Sequence, residues 1–187
     1  RKLGHFSYFS YFSYFKKPVK NNIPDVYVIM GSSSDLPHMK PCMELLNRFH
    51  ISFKVDIVSA HRSPHWMYEF CKNVEDSGTK VVIAAAGGSA HLPGMCSSML
   101  PSIPVIGVPI ISKLNGVDSL YSIVQMPGGI PVACVAINGS LNAGILALQI
   151  LGRKDILKQL TKENQEKVKK QRTVELPKFL ETLGIEQ

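Results

Sequence analysis

Between residues 25 and 137, short β-branched apolar runs alternate with segments of helical periodicity, which restricts the chain to a parallel sheet with helices on both faces. Five runs read as strands, near residues 25–30, 53–58, 80–85, 104–108 and 132–137. After the first, Met39, Cys42, Met43, Leu46 and Phe49 form the apolar stripe of a helix over about 36–50, with Pro37 suited to its first turn. Pro41 lies a turn deeper, where it removes a hydrogen bond, and is expected to kink or delay that helix. Further helices are expected over 64–76, from Leu92-Pro93, and over 141–151, where Ala143, Gly144 and Ala147 permit close packing and an outward apolar face suggests a partner subunit. A length of 187 residues suits one such domain, spanning 23–187. The fold class is therefore α/β: a three-layer αβα arrangement of flavodoxin- or Rossmann-like type.

In open sheets of this kind, ligands bind at the carboxyl ends of the strands, so the turns after the runs carry the functional expectation. Ser59-Ala60-His61-Arg62-Ser63-Pro64 comes after the second run and sets an imidazole beside a permanent cation, a pair able to bind an anion and move a proton. Read alone, it is equally a surface turn with two solvated polar residues. Gly31-Ser32-Ser33-Ser34-Asp35 comes after the first run, and Ala86-Gly87-Gly88-Ser89-Ala90-His91-Leu92-Pro93-Gly94-Met95 after the third. Together the three turns would surround one cleft with hydroxyls, a carboxylate, an Arg, two His and free N–H groups, which suits a sugar phosphate. Residues 109–131 read as a long loop with a short helix around Val117–Val124, and a loop of that length in a compact domain is functional or lies at an interface.

The formal charge of +7 raises nucleic-acid binding, but its distribution speaks against it. Residues 1–24 hold five Lys/Arg and no acid, 25–151 hold seven against eight Asp/Glu, and 152–187 hold nine against six. The body is near neutral. Cys42, Cys71, Cys96 and Cys134 are isolated, which reads as reduced core thiols and argues against zinc or a disulfide framework. His65 lies four residues after His61, but Pro64 intervenes and no third ligand is apparent, so no metal is expected. No apolar run reaches the roughly 18 residues of a membrane span. Residues 1–22 carry a Phe-Ser-Tyr repeat and then Lys16-Lys17-Pro18, and read as a transit-peptide remnant or a sticky leader or linker. A cytoplasmic location is expected, or a plastid or other organelle if the leader is a transit peptide. Residues 154–187 read as a long amphipathic helical tail that would cover its own domain or a neighbour.

With Asp118-Ser119-Leu120-Tyr121-Ser122-Ile123-Val124-Gln125-Met126-Pro127, the three turns stand in an order that resembles the class I PurE proteins of purine biosynthesis, the N5-carboxyaminoimidazole ribonucleotide mutases. The resemblance runs from about Val26 to Gly152 and weakly through the tail. The motif Ser34-Asp35-Leu36-Pro37 and the run from Ala136 to Gly144 look most like plant and fungal forms, which are fused to an ATP-grasp carboxylating domain. An ATP-grasp partner of PurK type, fused or separate, is therefore implied. The resemblance implies transfer of a carboxyl group from N5 to C4 of an aminoimidazole ribonucleotide, without a cofactor, in a homo-octamer.

Residue by residue, His61 matches the general acid/base, and Arg62 a ligand for the substrate phosphate or carboxylate. Asp35 matches the acceptor for the ribose hydroxyls, and Ser32, Ser34 and Ser59 match phosphate-side or carboxylate-side contacts. The loop containing Ala86, Gly87, Ser89, Ala90, His91 and Leu92 would hold the carboxyl group through backbone N–H groups, with His91 a mobile second histidine. Class II relatives, which use carbon dioxide directly, usually have Lys where Arg62 stands. Ser89, Ser63 and Pro41 depart from the common class I pattern.

Direct carboxylation of aminoimidazole ribonucleotide by carbon dioxide is the nearest alternative activity, and a non-catalytic flavodoxin-like nucleotide-binding module the nearest alternative class. A dinucleotide oxidoreductase fits poorly, because Gly31-Ser32-Ser33-Ser34 lacks the later glycines of G-x-G-x-x-G.

Overall fold

The computed structural model describes residues 23–185, so the leader over 1–22 lies outside the described residues. Five parallel strands form one sheet: β1 (Val26–Met30), β2 (Phe53–Ile57), β3 (Val81–Gly87), β4 (Val105–Ile110) and β5 (Ala133–Cys134), in the order β2-β1-β3-β4-β5. Helices α1 (Leu36–Arg48), α2 (Pro64–Glu75), α3 (Leu92–Met99), α4 (Val117–Val124) and α5 (Ser140–Ile150) join or succeed them. This is the three-layer α/β arrangement that the alternation required.

Alternate residues of the central strands supply two cores. Val26, Val28, Met30, Ile83 and Ala85 face Met39, Cys42 and Leu46 of α1 and Ala143, Ala147 and Leu148 of α5. On the other face, Ile29, Val82, Ala84 and Ala86 meet Met67, Phe70 and Val74 of α2, Leu92 and Cys96 of α3, and Ile123 of α4. Burying a large aliphatic side chain contributes about 1.5–3 kcal/mol, so these two layers carry most of the stability. Gly144 lets α5 approach α1: a Cβ there would lie 2.9 Å from Leu45 and 3.4 Å from the Cys42 sulfur.

Two expectations about regular structure are corrected. Pro41 neither delays nor interrupts α1, which runs unbroken from Leu36 to Arg48. Pro41 and Pro37 are exposed, so the Pro37 carbonyl that loses its donor can turn to water. The run expected as a strand over 132–137 pairs with β4 only at Ala133–Cys134. Pro131 blocks extension at one end, and at the other Asn138 turns the chain with φ 57°.

The tail continues as α6 (Lys154–Lys170), a π-turn over Gln171–Glu175, and α7 (Leu176–Thr182). Pro177, at the start of α7, has no N–H for the regular ladder, which accounts for the widened turn before it. Ile156 is buried, Leu157 and Leu160 pack beside it, and Glu163 takes two hydrogen bonds from Arg48 of α1, at 3.0 and 2.5 Å. The tail thus covers its own domain over its first turns. Beyond them Val168, Val174, Leu176 and Phe179 are exposed. Among the described residues no helix is long and apolar enough to cross a membrane.

Candidate active site

The carboxyl ends of β1, β2, β3 and β4 open onto one cleft of about 640 Å³, within the usual range for a small-molecule site. It is lined by Ser32, Ser34 and Asp35 after β1, and by Ser59, His61 and Arg62 after β2. Ala86 and Gly87 at the end of β3 and Ser89, His91 and Leu92 after it line it as well. Ala90 is not among the lining residues; its side chain is fully buried in the core shared by α2 and α3.

The β1 turn tightens into a single 3₁₀ turn over Ser33–Asp35, capped by Ser32, whose hydroxyl accepts from the Ser34 N–H at 3.4 Å. The turn buries Asp35 to 8% exposure. That burial pushes the Asp35 carboxyl above its ordinary value, and the Ser34 hydroxyl, the Ser32 backbone, His38 and Arg62 pull against the shift. A carboxylate so placed gains from any ligand that offers it hydroxyl donors.

The β2 turn locks itself. Arg62 donates from Nη2 to the Gly31 carbonyl at 2.7 Å and from its backbone N–H and Nε to Ser59 Oγ at 3.3 Å, so one guanidinium ties the first two turns together. Ser63 Oγ donates to the Ser59 carbonyl at 3.2 Å, and Pro64 then opens α2. His61 leaves this turn with its ring edge-on to that of His91, the planes at 90°. His61 Nε2 and His91 Nδ1 are 2.8 Å apart. A contact of that length requires one nitrogen to donate and the other to accept, so a single proton lies between the two rings. The pair can therefore pass a proton without either ring leaving the cleft.

Five cleft residues escaped the sequence reading: His38, Ile110, Ile111, Ser112 and Lys113. Ser112 and Lys113 lie just past β4, and the strand-end rule that picked out the other turns would have found them. His38 directly follows the Ser-Asp-Leu-Pro motif, three residues after Asp35, so helical spacing from Asp35 was its signal. His65 lies on α2, exposed and outside the cleft. Among the described residues no three His, Cys, Asp or Glu side chains are grouped as metal ligands would be.

Comparison with known proteins places this geometry. The profile of a family described as AIR carboxylase matches residues 25–172. The N5-carboxyaminoimidazole ribonucleotide mutase of Thermotoga maritima is 53% identical over 168 residues, covering 88% of this chain and 96% of that protein. The phosphoribosylaminoimidazole carboxylase of Candida glabrata is 52% identical over 167 residues, which make up 29% of its own length. A crystal structure of Treponema denticola PurE superposes with a TM-score of 0.71 at 28% identity, covering 80% of this chain and 97% of that one. The matched stretch contains all five strands and every residue of the cleft, and the chain belongs to the AIR carboxylase family.

Proposed function

We propose that this enzyme converts N5-carboxyaminoimidazole ribonucleotide to 4-carboxy-5-aminoimidazole ribonucleotide, a step of purine biosynthesis, by moving one carboxyl group from N5 to C4. The observation that carries the reading is the 2.8 Å contact between His61 and His91 inside a cleft that also holds Arg62 and Asp35. The N5 carbamate breaks its N–C bond, N5 takes up a proton, and carbon dioxide is released into the cleft. C4 then attacks carbon dioxide, and the proton on C4 leaves to restore the aromatic ring. One proton is taken and one returned, so a single imidazole can serve both steps, and His61 has that role with His91 as its hydrogen-bonded partner.

Asp35 accepts from the ribose hydroxyls. Arg62, with Ser32, Ser34 and Ser59, binds the anionic groups, and N–H groups of residues 87–92 hold the migrating carboxyl. A cleft that keeps water out also keeps carbon dioxide in, which the reaction needs. Neither step calls for a cofactor.

The test tracks product formed from N5-carboxyaminoimidazole ribonucleotide in buffer containing labelled bicarbonate. Product free of label is expected. Labelled product, formed no faster than from aminoimidazole ribonucleotide alone, would show that carbon dioxide from solution is the substrate. That second reading takes support from the name phosphoribosylaminoimidazole carboxylase carried by the Candida relatives.

The finer assignments of assembly belong with this reading. The exposed Ile111, Leu114, Val117, Tyr121 and Val124 around α4, and the exposed apolar residues of the tail, support a homo-oligomer, and an octamer is the expected size by sedimentation. A carboxylating ATP-grasp enzyme of PurK type would supply the carbamate, in the cytoplasm or, if residues 1–22 act as a transit peptide, in a plastid or other organelle.

A further inference from the structure

His61 and His91 are brought together by two loops, and the structure shows what holds the first but leaves the second to be explained. Within the β3–α3 loop the His91 N–H donates to the Ser89 carbonyl at 2.8 Å, a local bond that does not tie the loop to the rest of the cleft. Gly88 adopts φ +64° three residues before His91, and its N–H donates to the side chain of Ser112, Oγ, at 3.0 Å. The same hydroxyl donates to Asp118 Oδ2 at 3.1 Å. A hydroxyl that donates to a carboxylate becomes a stronger acceptor, so Asp118 tightens the grip of Ser112 on Gly88. The other carboxylate oxygen, Oδ1, is buried and makes no hydrogen bond among the described residues, so Ser112 holds the one bond through which this carboxylate acts.

Asp118 is itself fixed, because α4 is seated closely on the sheet. Ser119 Oγ donates to the Ile110 carbonyl at 2.8 Å, and Ile123 presses where a Cβ on Gly107 would lie 2.5 Å from it. At its far end the same segment packs on the first turn of α3, into which the loop leads, since a Cβ on Gly94 would lie 2.7 Å from the Met126 sulfur.

We propose that Asp118 is a positioning residue for the carboxyl transfer, holding the loop of residues 87–92 through Ser112 and Gly88 so that His91 stays in hydrogen-bond reach of His61. The proposal deepens the function proposed above and rests on it for its turnover readout only. Asp118→Asn keeps an acceptor for Ser112 but removes the charge. We expect kcat to fall about 10- to 100-fold with little change in KM, as for a small displacement of a reacting group.

The second readout is the imidazole N–H proton resonance of the His61–His91 pair in ligand-free protein, which we expect to be lost or displaced in Asp118→Asn and Ser112→Ala. Ser112→Thr, which returns the hydroxyl, is expected to restore both resonance and turnover. If Asp118→Asn does not fold, the two Ser112 variants decide the matter. In the double variant Asp118→Asn with Ser112→Ala, kcat should be no lower than in Ser112→Ala alone, since the two act in series. Multiplying losses, an unchanged resonance in Ser112→Ala, or failure of Ser112→Thr to restore it would each overturn the proposal. Absence of turnover in the unaltered protein with the resonance still sensitive to Ser112 would instead defeat the carboxyl-transfer reading and leave the positioning role standing.

Discussion

The two loops that face each other across the cleft rise from unlike strands. β2 is an edge strand with Val55 42% and Ile57 45% exposed, whereas β3 is central and buried from Val81 to Ala86. Fixity runs the other way. The turn on the exposed strand is locked by its own Arg62 and Ser59, while the loop on the buried strand depends on Ser112 and on α4. Burial of a strand therefore says little about the rigidity of the loop it leads into, and hydrogen bonds made by the loop itself say more. His61, proposed above as the acid/base residue, stands on the self-locked side, as a group that must meet two different atoms of one substrate requires.

The largest effect that bears on this contrast is at the histidines. His61→Asn is expected to lower kcat by about 10²–10⁴-fold while assembly and nucleotide binding persist, and His91→Asn to cost less. Single-turnover rates for the two variants would settle the order, and a greater loss from His91→Asn would reverse the roles assigned here. Next comes Gly107→Ala, whose new Cβ would lie 2.5 Å from Ile123 and 3.0 Å from Val132. Crowding of this kind costs about 1–3 kcal/mol, or roughly 2–4 °C of Tm per kcal/mol, and should also slow turnover by shifting α4 under the His91 loop. A lower Tm with normal kcat would show that the loop does not feel α4.

Arg62→Lys keeps the charge but loses the fork that joins Ser59 to the Gly31 carbonyl, and a rise in KM of about tenfold is expected from steady-state kinetics. The smallest effect belongs to the β1 turn, to which Arg62 is tied through the Gly31 carbonyl. Burial raises the Asp35 pKa, so its ionisation disfavours the folded state progressively as pH rises through and above the ordinary carboxylate range. Asp35→Asn should therefore bind the nucleotide poorly yet melt slightly higher than the parent near pH 7, with the gap closing as pH falls. A melting difference independent of pH would remove the burial argument.

The sheet was legible in the sequence because buried parallel strands must be apolar throughout, and 26–30 and 81–86 can be little else. β5 was overread: Val132 to Ile137 has strand composition, but only β4 is there to pair with it and Pro131 limits its start. The cleft was legible from β1, β2 and β3, where small residues and ionisable groups come directly after apolar runs. Ser112 and Lys113 lay within the long loop over 109–131, read as functional or at an interface without singling either out, and Ala90 entered through the family resemblance, which invokes the loop's backbone N–H groups and so does not say which side chains face the cleft. Pro41 obeys the same logic, since its cost depends on whether the orphaned carbonyl meets water, a matter of exposure that helical periodicity alone does not give.

The chain enters β1 at the end of the sheet remote from the cleft. Five strand residues at about 3.3 Å each place roughly 16 Å of buried sheet between that entry point and the Gly31 turn. Ile23, 58% exposed at this entry, is thus a handle for engineering. A fluorophore on Ile23→Cys, where three of the four native thiols are buried, would tether or report on the protein from its back side and leave substrate access and turnover untouched.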